Sequence, residues 1–242
     1  MIRYIAKEPI QGLSEMGFTR SGDEFIRFCF ARYLDRSDAV SEIAELDPQA
    51  SINYQRMSTL ELERSCSPLT LERDQNYFLI PIRPGYALNL FDRQQSSQDL
   101  FGGNPDVLLR WSNVYYRRVT HHKMLRAPGR ILWYVSGKRG EIICVSHLDQ
   151  VEMATPKELF RRFEKYGTLE WEDLYKMCGG DVSKELMALR FSHTFPLTRA
   201  VPLTEVWKVF DEYGIGRSLQ SPRKIPFDTF KKLFQIGYQE QS

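Results

Sequence analysis

At 242 residues, 42% of them apolar, the chain is long enough to bury a core without disulfides. Its 33 Lys+Arg and 31 Asp+Glu leave a formal charge of +2, so a site for a polyanion has to be local rather than spread over the surface. The opening Met-Ile-Arg-Tyr-Ile-Ala-Lys-Glu lacks a signal-peptide apolar core, and no run approaches the roughly 18 apolar residues of a membrane span, so a cytoplasmic protein is expected.

Along the chain, Glu15-Met16-Gly17-Phe18 reads as a helix end closed by glycine. Ser21-Gly22-Asp23 then makes a hairpin turn between Phe18-Thr19-Arg20 and Phe25-Ile26-Arg27-Phe28-Cys29-Phe30. Ser37 or Asp38 caps a helix carrying Val40, Ile43, Ala44 and Leu46, which Asp47-Pro48 ends. Residues 36–74 hold eight acids and four bases without Gly/Ser or Pro richness, so they read as an acidic connector packed on the main domain. Strands are expected at 78–82, 114–119, 131–135, 141–153 and 186–195. Helices are expected at 85–92, opened by Pro84, at 156–166, capped by Thr155, and at 170–177, ended by Gly179-Gly180. Two more follow, at 203–213 with Thr204 as cap and at 226–234. Strands interleaved with helices and no strict βαβ repeat give an α+β class, a small mixed barrel rather than a doubly wound sheet. The expected division is 1–36, 37–76 and 77–242.

Cys29, Cys66, Cys144 and Cys178 are scattered, with no C-x-x-C pair and no histidine at ligand spacing, which suits buried thiols in a reducing compartment. His121-His122 lacks carboxylate or thiolate neighbours and reads as a solvated pair, and no P-loop or G-x-S-x-G context is present. No metal and no cofactor are expected.

Charge is concentrated in residues 107–140. This window has eight basic side chains and no acid, which leaves −6 on the rest of a chain whose total is +2. The same window holds Trp111, Tyr115, Tyr116, Trp133 and Tyr134. Cations beside flat rings suit a polyanion with stackable bases. The basic run Arg217-Ser218-Leu219-Gln220-Ser221-Pro222-Arg223-Lys224 either extends that rim or is an exposed loop.

Several blocks occur in a recognisable order. They are Leu79-Ile80-Pro81-Ile82-Arg83-Pro84-Gly85-Tyr86-Ala87, Ser112-Asn113-Val114-Tyr115-Tyr116-Arg117, and Gly129-Arg130-Ile131-Leu132-Trp133-Tyr134-Val135-Ser136. Thr155-Pro156-Lys157-Glu158-Leu159-Phe160 and Met187-Ala188-Leu189-Arg190-Phe191 follow. Together they resemble an ASCH domain of the PUA-like barrel superfamily, over about residues 77–234. The resemblance implies a barrel with a concave pocket for nucleic acid or a nucleoside. Some family members are hydrolases or nucleases with a Lys-x-x-Glu-x-Arg signature. Here Ser112 stands at the lysine, Tyr115 at the glutamate, and only Arg117 is kept, so the fold is carried over and the chemistry is not. A second resemblance, of Gly12 through Asp23 to the closing elements of a GNAT acetyltransferase, implies a remnant or a partner-docking patch. No Gly-rich acetyl-coenzyme A loop accompanies it.

The expected site follows from the window and the first resemblance. Arg126, Arg130, Lys138 and Arg139 pair with phosphates, and an unpaired base enters near Asn113, Tyr115 and Arg117, with Ser112 on the same strand. Arg117 takes the cleft face while Arg118 and Tyr116 point the other way. Trp111 is either a stacking platform at the rim or a lid over the core. The expected function is binding of RNA or modified nucleic acid. The alternatives are a nuclease or nucleoside amidohydrolase with a different residue set, and an interaction module that meets a protein partner through residues 1–36.

Overall fold

Gly22, at φ +62°, closes the first hairpin in a conformation that side chains with a Cβ rarely adopt. The computed structural model describes residues 2–5, 13, 18–29, 34–67, 70–71, 73, 75–91, 112–119, 124–137 and 140–238. Contacts divide the chain into two units, Met1–Asp74 and Gln75–Ser242.

In the first unit, β1 (Ile2–Ile5), β2 (Thr19–Ser21) and β3 (Glu24–Cys29) form a sheet in the order β1-β3-β2. β4 (Leu34–Asp35) leads into α1 (Arg36–Leu46), whose cap residue is Asp35 and not the expected Ser37 or Asp38. Asp47 ends α1 and also starts α2 (Pro48–Arg56), accepting from the Ala50 N–H at 3.0 Å. A Ser58/Glu61 capping box opens α3 (Thr59–Ser65). β5 (Cys66–Ser67) then pairs in parallel with β3, and β6 (Thr70–Leu71) with β4. Ile26 and Phe28 of β3 share one core with Ile43, Tyr54 and Leu62, the Phe28 and Tyr54 rings meeting edge-on at 5.2 Å. Residues Ile43, Ala50, Tyr54, Leu62 and Cys66 of the stretch expected as a connector therefore pack with the hairpin that precedes them.

The second unit carries the six-stranded sheet. Its strands are β7 (Asn76–Ile82), β8 (Ser112–Arg118), β9 (Gly129–Val135), β10 (Glu141–Ala154), β11 (Leu186–Pro202) and β12 (Arg223–Lys224). The order is β12-β7-β9-β10-β11-β8, with β7 and β9 parallel and the other pairs antiparallel. The expected barrel is, among the described residues, an open path, because β12 and β8 at its two ends are not paired. Its helices are α4 (Pro84–Phe91), α5 (Pro156–Phe163), α6 (Trp171–Met177), α7 (Leu203–Glu212) and α8 (Phe227–Tyr238). The Thr155 cap of α5 forms as expected, with Glu158 completing a capping box. Thr204 does not cap α7; the cap position is Pro202, without a side-chain bond.

One core gathers Ile80, Tyr115, Ile131, Trp133, Leu148, Leu189 and Phe191, and a second holds Val114, Tyr116, Leu159, Phe163 and Leu174. Adjacent residues of β8 thus feed opposite cores, as strand alternation requires. Gly129 starts β9 where a Cβ would lie 2.8 Å from the Asn76 carbonyl oxygen and 3.0 Å from the Phe78 ring. Gly129→Ala should therefore destabilise by about 1–3 kcal/mol, read as a lower urea midpoint with an unchanged slope. An unaltered midpoint would mean that this approach relaxes freely.

Candidate functional site

The parallel pair β7 and β9 ends together: the Ser136 N–H and hydroxyl both donate to the Ile82 carbonyl, at 2.9 and 3.2 Å. Beyond those ends lies a cleft of about 930 Å³. Its floor is Pro81, Ile82, Tyr134 and the second half of β8. Arg83 and Tyr86 from the start of α4 form one wall, Asp173, Lys176 and Met177 of α6 another, and Trp207 of α7 with Arg217–Gln220 a third. Such a volume is in the range of small-molecule and single-residue ligand sites.

Among the described lining residues five are cationic (Arg83, Arg117, Arg118, Lys176 and Arg217) and one, Asp173, is acidic. Several of these charges are fixed by neighbours. Arg118 Nε donates to the Met177 carbonyl at 2.9 Å, and Lys176 pairs with Glu172 at 2.9 Å. Arg217 forks onto both carboxylate oxygens of Asp211, its Nε reaching Oδ1 at 3.1 Å. Arg223 donates to the Gly216 carbonyl and lies 5.5 Å over the Phe210 ring, pinning the loop that presents Arg217–Gln220. Asp173 Oδ2 accepts from the Glu170 N–H at 3.2 Å.

Five aromatic rings of the described residues line the cleft, but not equally. Tyr115 is 8% exposed, Tyr116 1% and Tyr134 6%, whereas Tyr86 and Trp207 are only half-buried. Tyr115 is held edge-on between Tyr86 at 6.0 Å and Trp133 at 5.7 Å. Burial raises the Tyr115 pKa, with Arg117 and Arg83 opposing the rise. Burial also raises the Tyr116 pKa, helped by Glu164, and that of Tyr134. These phenols are protonated donors at neutral pH. Burial lowers the Arg117 pKa, with Tyr115 opposing, from a value too high for the charge to be lost.

Of the expected site residues, the cleft brings together Tyr115 and Arg117. Tyr115 is enclosed by two rings, Tyr86 and Trp133, where an open stacking face was expected. Asn113 is buried, facing Phe191 across the ladder, and Ser112 begins β8 opposite Ser192; neither is among the described lining residues. Arg130 is 0% exposed. Its register partner on β7 is Tyr77, whose ring packs 4.5 Å from Phe230 of α8, so this sheet face lies under a helix and no phosphate reaches it. Arg126 is exposed but precedes Gly129, which pairs with Asn76 at the opening end of β7. The cleft is at the other end of that seven-residue strand, roughly 20 Å away. Trp111, Lys138, Arg139 and His121-His122 lie outside the described residues. Arg118, expected to face away, lies along the α6 wall, and Tyr116 borders the cleft from the second core.

Arg83, Tyr86, Tyr134, Lys176 and Trp207 were not expected at the site. Arg83 and Tyr86 sit in the Arg83-Pro84-Gly85-Tyr86-Ala87 block, so a signal for them existed; Lys176 and Trp207 had none. The run beginning at Arg217 does extend the cationic rim, through Arg217 itself. Among the described residues no group of three or more His, Cys, Asp or Glu is placed to hold a metal, and no helix is long and apolar enough to cross a membrane.

No protein-family model matches the sequence, and no curated protein matches it. Solved structures do. The ASCH protein of Zymomonas mobilis matches with a TM-score of 0.51 at 15% identity, covering 69% of this chain and 100% of that one. A serine-to-alanine mutant of that protein matches with a TM-score of 0.50 at 14% identity, covering 68% and 99%. A tyrosine-to-phenylalanine mutant of it also gives 0.50 at 14% identity, covering 66% and 97%. At such identity the likeness speaks for architecture alone: over about two thirds of its length this chain has an α+β fold like that of the Zymomonas mobilis ASCH protein.

Proposed function

We propose that the second unit binds single-stranded RNA, or nucleic acid with an unpaired and modified base, through the cleft beyond β7 and β9. The observation that carries this reading is the meeting, among the described lining residues, of five cations with two half-buried aromatic residues, Tyr86 and Trp207, in one hollow. Phosphates supply salt-sensitive affinity and a stacked base adds about 1–3 kcal/mol. RNA is favoured over duplex DNA because a hollow takes a splayed base more readily than a paired one. Buried Cys66, Cys144 and Cys178 suit a reducing compartment, and a cytoplasmic location belongs to this reading.

The test is titration of a short single-stranded RNA at several salt concentrations. Affinity should fall steeply with salt, and Arg117→Ala should weaken binding and reduce the logarithmic salt slope by about one. Equal affinity and slope for Arg117→Ala and the parent would remove Arg117 from the interface. Product formed on long incubation, and lost with a single cleft substitution, would replace the binding reading with an enzymatic one.

A further inference from the structure

A second hollow, of about 480 Å³, adjoins the cleft at α4. Its described lining is Arg83, Gly85, Tyr86 and Leu88. Arg83 and Tyr86 also line the cleft, so the two hollows share a wall. The two sides of α4 differ. Ala87 and Leu90 are buried in the core that also holds Tyr115, while Gly85 and Leu88 are exposed and stand three residues apart on one side of the helix. Leu88 keeps 41% of its surface open, much for a leucine with an aliphatic core one turn away. A Cβ at Gly85 would meet nothing within 4 Å, so the helix backbone itself bounds the hollow there. Among the described residues lining this second hollow Arg83 is the one charge, and none is an acid.

A single strand presents its bases in succession, with one anionic phosphate between each and the next. Two adjoining hollows with an arginine on the shared wall repeat that order. Gly85 and Leu88 bring no polar side-chain group, so the second hollow suits a base and not a phosphate. The guanidinium at the partition suits the phosphate, which it can grip in bidentate fashion. Resting on the single-strand reading above, we infer that the site holds two consecutive nucleotides. One base enters the cleft, the next lies over Gly85 and Leu88, and the phosphate that joins them meets Arg83.

The test is displacement of a labelled hexaadenylate by adenosine 5′-monophosphate and by the 5′-phosphorylated adenylate dinucleotide. The dinucleotide should compete about tenfold or more tightly than the mononucleotide, because it adds one base and one phosphate. Gly85→Leu fills the second hollow from a backbone position free of clash and with better helix propensity. It should remove most of that gain while leaving mononucleotide affinity and thermal stability as in the parent. Leu88→Glu, at an exposed position, sets a carboxylate in the same hollow and should have the same effect. Arg83→Gln should reduce the gain by removing the phosphate contact. Equal competition by the two ligands overturns the two-nucleotide inference and leaves the single-strand reading standing. A gain that survives both Gly85→Leu and Leu88→Glu puts the second nucleotide elsewhere and overturns the inference too, and one that survives Arg83→Gln overturns the phosphate assignment. Failure of the hexaadenylate itself to bind overturns the single-strand reading and this inference with it.

Discussion

Arg130→Ala should lower the stability of the second unit by about 3 kcal/mol or more, while leaving the salt slope of RNA binding where it was. From charge alone Arg130 belongs to a cationic patch, and its loss would weaken phosphate binding at no structural expense. Its burial reverses that expectation. The side chain is 0% exposed, between Tyr77 on one neighbouring strand and His147 on the other. Truncation leaves a void the size of a long, fully buried side chain. Arg126→Ala is the control: it removes the same charge from an exposed loop and should change stability by no more than about 0.5 kcal/mol. Urea denaturation of both variants decides the matter. Equal midpoints would mean that Arg130 is not a core residue, and a reduced salt slope for Arg130→Ala would return it to the interface.

The contrast between these two arginines also shows where the sequence stopped being informative. Periodicity and punctuation located the strands of the second unit closely: Phe78 to Ile82 lies inside β7, and Ile131 to Val135 inside β9. Thr155-Pro156 marked the start of α5 because both cap chemistry and the proline ring act locally. Asp47-Pro48 was legible as a stop and not as a start, although one aspartate serves both helices. The site was harder because a cleft is made by elements distant in sequence. Window charge treats Arg117, Arg126 and Arg130 alike, yet one borders the cleft, one lies at the far end of the sheet and one is under α8. Lys176 and Trp207 reach the hollow because α6 and α7 cross the strand ends, which no local pattern encodes. Arg83 and Tyr86 were within reach, since they follow a strand and open a helix at Pro84, where a chain turning out of a sheet exposes its side chains. Their weight was missed because the charge-dense window drew the assignment toward residues 107–140.

Trp207→Ala should reduce RNA affinity by about 1–3 kcal/mol, roughly five- to 150-fold, with only a modest change in stability. Tyr115→Ala should do the reverse and cost about 3 kcal/mol or more of folding free energy. The distinction lies in which ring has a free surface. Tyr115 is enclosed by Tyr86 and Trp133 and packs with the larger core, so a base has no face of it to stack on. Trp207 is half-buried, meets the Phe210 ring at 5.6 Å, and borders the cleft. A ring that is braced by a neighbour and only partly buried suits a stacking platform, because it is already ordered before the base arrives. Tyr115→Phe separates the hydroxyl from the ring: it should keep the core and lose only the donor beside Arg83 and Arg117, weakening binding less than Trp207→Ala. If Trp207→Ala binds as the parent does while Tyr115→Phe does not, the base rests elsewhere and the phenol, not the indole, governs affinity. The same titrations read at two salt concentrations keep stacking apart from charge, since loss of a ring shifts affinity equally at both and loss of an arginine does not.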